Sequence, residues 1–106
     1  MGKVILTSVF TLTATVAIAA NVSDMTTARE IGQIVATAEL CGYALDADKV
    51  AEIVGSKIAS MDAVSRSAYQ SGGGAHKMRM NTMSEIERKA ACAIQANLAK
   101  QYGLAP

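Results

Sequence analysis

The sequence predicts an all-α protein: a small three-helix bundle, or four helices if the second one breaks, stapled by one disulfide and placed after a cleaved N-terminal signal peptide. Three observations lead there. Apolar residues beyond position 20 recur every three or four positions, without the alternation of strands. Helix start and stop signals bracket those runs. The chain of 106 residues holds two cysteines, Cys41 and Cys92, and these allow a single intramolecular pairing.

The N-terminus sets the compartment. Lys3 supplies a short positive region, Val4 to Ile18 an apolar run, and Ala17-Ile18-Ala19 the small residues a signal peptidase reads. Cleavage is expected after Ala19, with Ala20 the second choice because it would place bulky Ile18 three residues before the cut. An uncleaved anchor would need about 20 apolar residues to cross the hydrocarbon core. This run is shorter and broken by Thr7, Ser8, Thr11, Thr13 and Thr15, so no stable membrane insertion is expected after cleavage. The expected organisation is a signal peptide over 1–19 and a single helical domain over 20–106, exported to the periplasm or secreted.

Charge narrows the partners. Loss of Lys3 leaves nine basic and nine acidic side chains. A net charge near zero argues against nucleic acid, which is held by a basic excess, and leaves self-association open. A domain this small buries only about 60% of the surface of its unfolded chain, so its stability margin is thin. An oxidising compartment and two cysteines point to a Cys41–Cys92 disulfide. Closing that loop is worth on the order of 4 kcal/mol in the chain-entropy account.

The first mature helix is expected to start near Thr27, since Thr27-Ala28-Arg29-Glu30 has capping-box spacing. Ile31, Ile34, Val35, Ala38, Cys41 and Leu45 follow on one face, and Gly42 suits a left-handed stop. Asp46 is a good N-cap for the second helix, with Val50, Ile53, Val54, Ile58 and Met61 on one side. Gly55-Ser56 or Asp62 is where this helix would kink or break. The Asp46 to Glu52 acids have a faint calcium-loop spacing, but an EF-hand requires glycine at its sixth position and Ala51 stands there.

Three adjacent glycines, Gly72 to Gly74, predict a flexible loop over about 70–81. The last helix has two competing capping boxes, Thr82 with Glu85 and Ser84 with Glu87. Ile86, Ala90, Ala93, Ile94 and Leu98 form its expected apolar face, with Cys92 at the edge. Lys100 suits the negative end of the helix dipole, Gly103 a left-handed cap, and Leu104 can fold back on the last turn.

One cluster could carry chemistry. His76, Met78, Met80 and Met83 gather an imidazole and three thioethers, soft donors that suit Cu(I) outside the cytoplasm. Lys77 and Arg79, interleaved among them, oppose a cation, and methionine is an ordinary filler of apolar gaps. The same stretch offers a partner contact, with Lys77 and Arg79 facing an acidic surface and Met78 and Met80 supplying adaptable apolar area. A single His, and Ser71 outside any nucleophile elbow, give no catalytic constellation. No catalytic residue and no cofactor are therefore assigned; Cu(I) stands as the alternative reading.

The length, the export signal and the two widely spaced cysteines resemble those of small bacterial periplasmic helical proteins, including the acid-stress chaperones. That resemblance assigns no site residue. The expected function is non-enzymatic: protein–protein contact with an unknown envelope protein, as a chaperone-like or accessory factor; the alternative is a periplasmic Cu(I)-binding protein, and a small hydrolase is the third reading.

Overall fold

In the computed structural model, the backbone of residues 2–106 and the side chains of residues 22–106 are described. The signal peptide expected over 1–19 lies outside the residues whose side chains are described. Among the described residues four α-helices follow one another: α1 over Gly2–Cys41, α2 over Ala47–Ile53, α3 over Ala63–Asn81 and α4 over Glu85–Gln101, with a π-helical turn over Val54–Ile58 between α2 and α3. The described residues include no strand, and none of their helices is long and apolar enough to cross a membrane.

Local chemistry explains most of the boundaries. Gly42, at φ +76°, ends α1 in the left-handed conformation that glycine tolerates best. Asp46 caps α2 by accepting from the backbone N–H groups of Asp48 and Lys49 at 3.0 and 3.1 Å. Asp62 caps α3, accepting from Ser65 N at 2.8 Å, and that hydrogen bond holds its carboxyl below the usual range. Ser84, rather than Thr82, starts α4: its Oγ accepts from Glu87 N at 3.2 Å and donates to the Glu87 carboxylate at 2.9 Å. At the other end Leu104 N bonds Ala99 O at 2.8 Å and Gly103 N bonds Lys100 O at 3.1 Å, the paired bonds of a Schellman cap. Leu104 is fully buried beneath it.

Two expected boundaries are corrected. The first helix does not start at Thr27; α1 runs through that position, and Glu30 accepts from the Tyr102 hydroxyl instead of reaching back to a cap. The flexible loop expected over 70–81 is the second half of α3. Its glycines are held in a helix because two backbones meet there. A Cβ on Gly32 would collide with Tyr69 O, and one on Gly73 would lie 2.6 Å from Gly32 O and 2.8 Å from the Ala36 Cβ. Glycine at the seam lets α1 and α3 approach more closely than any side chain would allow, and interaxial distance follows the residues at the contact.

Three links fix the directions of the helices. Cys41 and Cys92 form the disulfide, with 5.2 Å between their Cα atoms. Tyr102 reaches Glu30, so moving forward along α4 means moving backward along α1: the two helices are antiparallel. His76 meets Gln95, and Met80 O accepts from Arg88 Nε at 3.2 Å, so α3 and α4 form an antiparallel hairpin. Consequently α1 and α3 point the same way, and the segment from Tyr43 to Asp62 is the crossover between them. That segment doubles back along α1, with the Tyr43 hydroxyl donating to Ile34 O and Asp46 N bonded to Leu104 O at 2.8 Å.

The core lies where α1, the crossover and the end of α4 converge: Ala28, Ile31, Ile34, Ile58, Met61, Ala99 and Leu104, flanked by Tyr43, Val50, Ile53 and Leu98. Thr37 is buried beside it, with its hydroxyl 2.7 Å from Gln33 O and 3.1 Å from the Tyr43 hydroxyl. The inward face of α4 is also corrected. Gln95 and Ala99 are buried and Cys92 half-buried, whereas Ile86, Ala90, Ala93 and Ile94 face outward. The disulfide requires Cys92 to face α1, and that rotation carries Ile86 to the far side.

Candidate functional site

The His/Met stretch lies on the last turns of α3 and just beyond them, so helical geometry decides which of its side chains meet. His76, Met80 and Met83 follow at i, i+4 and i+7, along one side. Met78 falls on the opposite side of the helix and is 72% exposed, while Met80 is completely buried. The four donors named for Cu(I) therefore do not converge. Met80 belongs to the packed interior and presents nothing to a partner, whereas Lys77, Met78 and Arg79 are exposed.

Both ring nitrogens of His76 are engaged. Nδ1 lies 3.1 Å from an Arg79 guanidinium nitrogen, and Nε2 lies 3.1 Å from the Gln95 side-chain amide. Arginine can only donate, so Nδ1 must accept and the ring hydrogen must sit on Nε2. Nε2–H then needs an acceptor, and the Gln95 amide supplies one when its oxygen, rather than its nitrogen, faces the ring. That orientation also removes the unpartnered state of Gln95 Oε1, which is buried without a hydrogen bond when the nitrogen faces His76. Desolvation, followed by the nearby Arg79 charge, pulls the His76 pKa below its ordinary value. With its two nitrogens spoken for, the imidazole is a structural strut between α3 and α4, and the donor set does not fit a copper ion.

Around this strut the hairpin is closed by Arg88, which donates to Met80 O, a carbonyl that also accepts from Met83 N, and, at 3.5 Å, to Met83 O just past the end of α3. On the far side of α4, Ile86 is 82% and Ile94 60% exposed, with exposed Ala90 and Ala93 between them. These four fall within one helical stripe, and the Lys89–Glu85 pair at 3.5 Å lies along its edge. Among the described residues there is no ligand-sized cleft and no cluster of His, Cys, Asp and Glu able to hold a metal. The partner-contact reading of 77–80 picks out Met78, but apolar periodicity alone assigns the α4 stripe to the core. The signal that could have found it is the position of Cys92, half a turn away from Ile94 and required to face Cys41.

No protein-family model, no curated protein and no solved structure matches this chain.

Proposed function

We propose that the protein is exported, to the periplasm or beyond the cell, where it works by contact with another envelope protein. The observation that carries this reading is the outward stripe of α4. Two isoleucines remain largely in water although the same chain buries Ile31, Ile34 and Ile58. Each exposed isoleucine forgoes roughly 1.5–3 kcal/mol that burial would contribute, and a partner that covers both recovers it. The exposed Met78, with Lys77 and Arg79 beside it on α3, offers a second contact suited to an acidic segment with an apolar side chain. The disulfide agrees with an oxidising compartment.

The test is site-specific photo-crosslinking in cells that export the full chain. A crosslinker at Ala90, between the isoleucines, should yield a discrete product that disappears in the Ile86→Lys, Ile94→Lys background. The same group at exposed Glu52 on α2 should yield none. A product of twice the protein's own mass would make the partner a second copy. Equal yields from Ala90 and Glu52, or a product indifferent to the two lysines, would refute the reading.

A further inference from the structure

We propose that the outward stripe of α4 is covered by a second copy of this chain, laid antiparallel across it. The proposal rests on reading that stripe as a contact surface, and it names the occupant. Ile86, Ala90, Ala93, Asn97 and Lys100 recur at alternating steps of four and three, and all five are exposed. That spacing keeps a seam turned toward a neighbouring helix at a shallow crossing of about 20°. Ile94 stands beside the seam, and the short Ala90 and Ala93 leave a dip next to it. A knob and a dip on one helix are self-complementary when the second copy is turned end for end. Ile94 of each chain then seats over the partner's Ala90, with the partner's Ala93 alongside.

Charge selects the same register. With Ile94 opposite the partner's Ala90, Lys100 stands six residues on, opposite the partner's Ser84 and one residue, about 1.5 Å along the axis, from the partner's Glu85. A two-fold axis sets each edge of the helix against the same edge of its copy, and Glu85 and Lys100 lie on one edge. Among the described residues Lys100 has no carboxylate within ion-pair distance, and Glu85 meets only Lys89 of its own helix, at 3.5 Å. The Lys100 stem then runs over the partner's Ile86, so both exposed isoleucines are covered. Like charges stay apart, since the two Lys89 side chains sit six residues, about 9 Å, from each other along the axis. A parallel pair would instead place Glu85 on Glu85 and Lys100 on Lys100. Beyond position 19 the nine basic and nine acidic side chains balance, so no net repulsion opposes association. One helix on one helix covers less than about 1,200 Å² in total, the size of a transient contact, and a Kd above about 1 μM is expected.

The experiment follows the oxidised protein by sedimentation equilibrium from roughly 10 μM to 1 mM, a span that brackets such a Kd. Wild type should pass from monomer to dimer. Glu85→Lys and Lys100→Glu, each alone, should weaken dimerisation about tenfold, since each reverses two exposed ion pairs per dimer. Their equimolar mixture should recover wild-type association to within about twofold, because the two lysines of one chain then meet the two glutamates of the other. Folding cannot supply that recovery, as both variants are the same molecules before and after mixing. A mixture no tighter than its components, a dimer that survives Ile94→Lys, or wild type that stays monomeric at the highest concentration overturns the second copy as occupant. The crosslinker at Ala90 separates that failure from failure of the contact surface itself. A product of any mass other than twice the chain's own overturns self-pairing alone, and no product at all overturns both.

Discussion

The three adjacent glycines of α3 should respond to alanine in three different ways, because each meets a different surface. At Gly73 a new Cβ would stand 2.6 Å from Gly32 O and 2.8 Å from the Ala36 Cβ. An ordinary contact begins at 3.4 Å, so the oxygen contact is short by 3.4 minus 2.6, or 0.8 Å, and a carbonyl and a Cβ in packed helices cannot swing aside. Separating two helices by that amount forfeits a quarter to a half of the dispersion energy along the seam. Overpacking at such a site costs up to about 3 kcal/mol, and the better helix propensity of alanine offsets about 1 kcal/mol. The net loss is about 2 kcal/mol, a fall in Tm of roughly 8–16 °C for a domain of this size. A Cβ added at Gly74 would meet nothing within 4 Å, so Gly74→Ala should raise Tm by about 4–8 °C. At Gly72 the obstacle is the Arg29 Cγ at 2.7 Å, part of a long side chain that can rotate, and the change should stay within about 0.5 kcal/mol. Thermal and urea unfolding followed by circular dichroism, with the disulfide intact, would rank the variants. If Gly73→Ala stabilised the protein as much as Gly74→Ala, the glycine seam between α1 and α3 would be refuted.

Other residues give sharper single tests. Replacing Cys41 and Cys92 by serine opens a loop spanning 51 positions and should cost about 4 kcal/mol in urea unfolding; a loss under about 1 kcal/mol would mean that the reduced chain is already held in place by its apolar core. The Tyr102 hydroxyl donates to Glu30, and burial, then that carboxylate, push its pKa up to about 12. A raised tyrosine stabilises the fold fully below the unfolded value of about 10, and the contribution is lost as pH climbs from there to about 12. Tyr102→Phe should therefore cost about 1 kcal/mol at neutral pH and abolish that alkaline slope, which unfolding measured at several pH values between 9 and 12 would show. Ile86→Lys and Ile94→Lys should each leave stability within about 0.5 kcal/mol, whereas a loss near that of a core isoleucine would place α4 in the opposite rotation.

The chain by itself specifies where most helices stop and how they are capped. Asp46, Ser84 with Glu87, Gly42 and Gly103 act within a few residues of their own positions, through side-chain acceptors and through the one backbone conformation that glycine reaches cheaply. The disulfide is also legible, because two cysteines have a single way to pair. What adjacent residues could not disclose is where the chain meets itself. The Gly72 to Gly74 run reads as a breaker locally and becomes a helix only against Gly32, about forty positions earlier, because burial at the seam offsets the conformational entropy that glycine gives up. The roll of α4 is of the same kind: its larger apolar side chains suggest that Ile86 and Ile94 face inward, yet a covalent tie at Cys92 and the seat of Gln95 beside His76 turn them out. Caps are local hydrogen bonds and can be read one turn at a time, whereas a helix face is chosen by whatever packs against it, and that partner comes from a distant part of the chain.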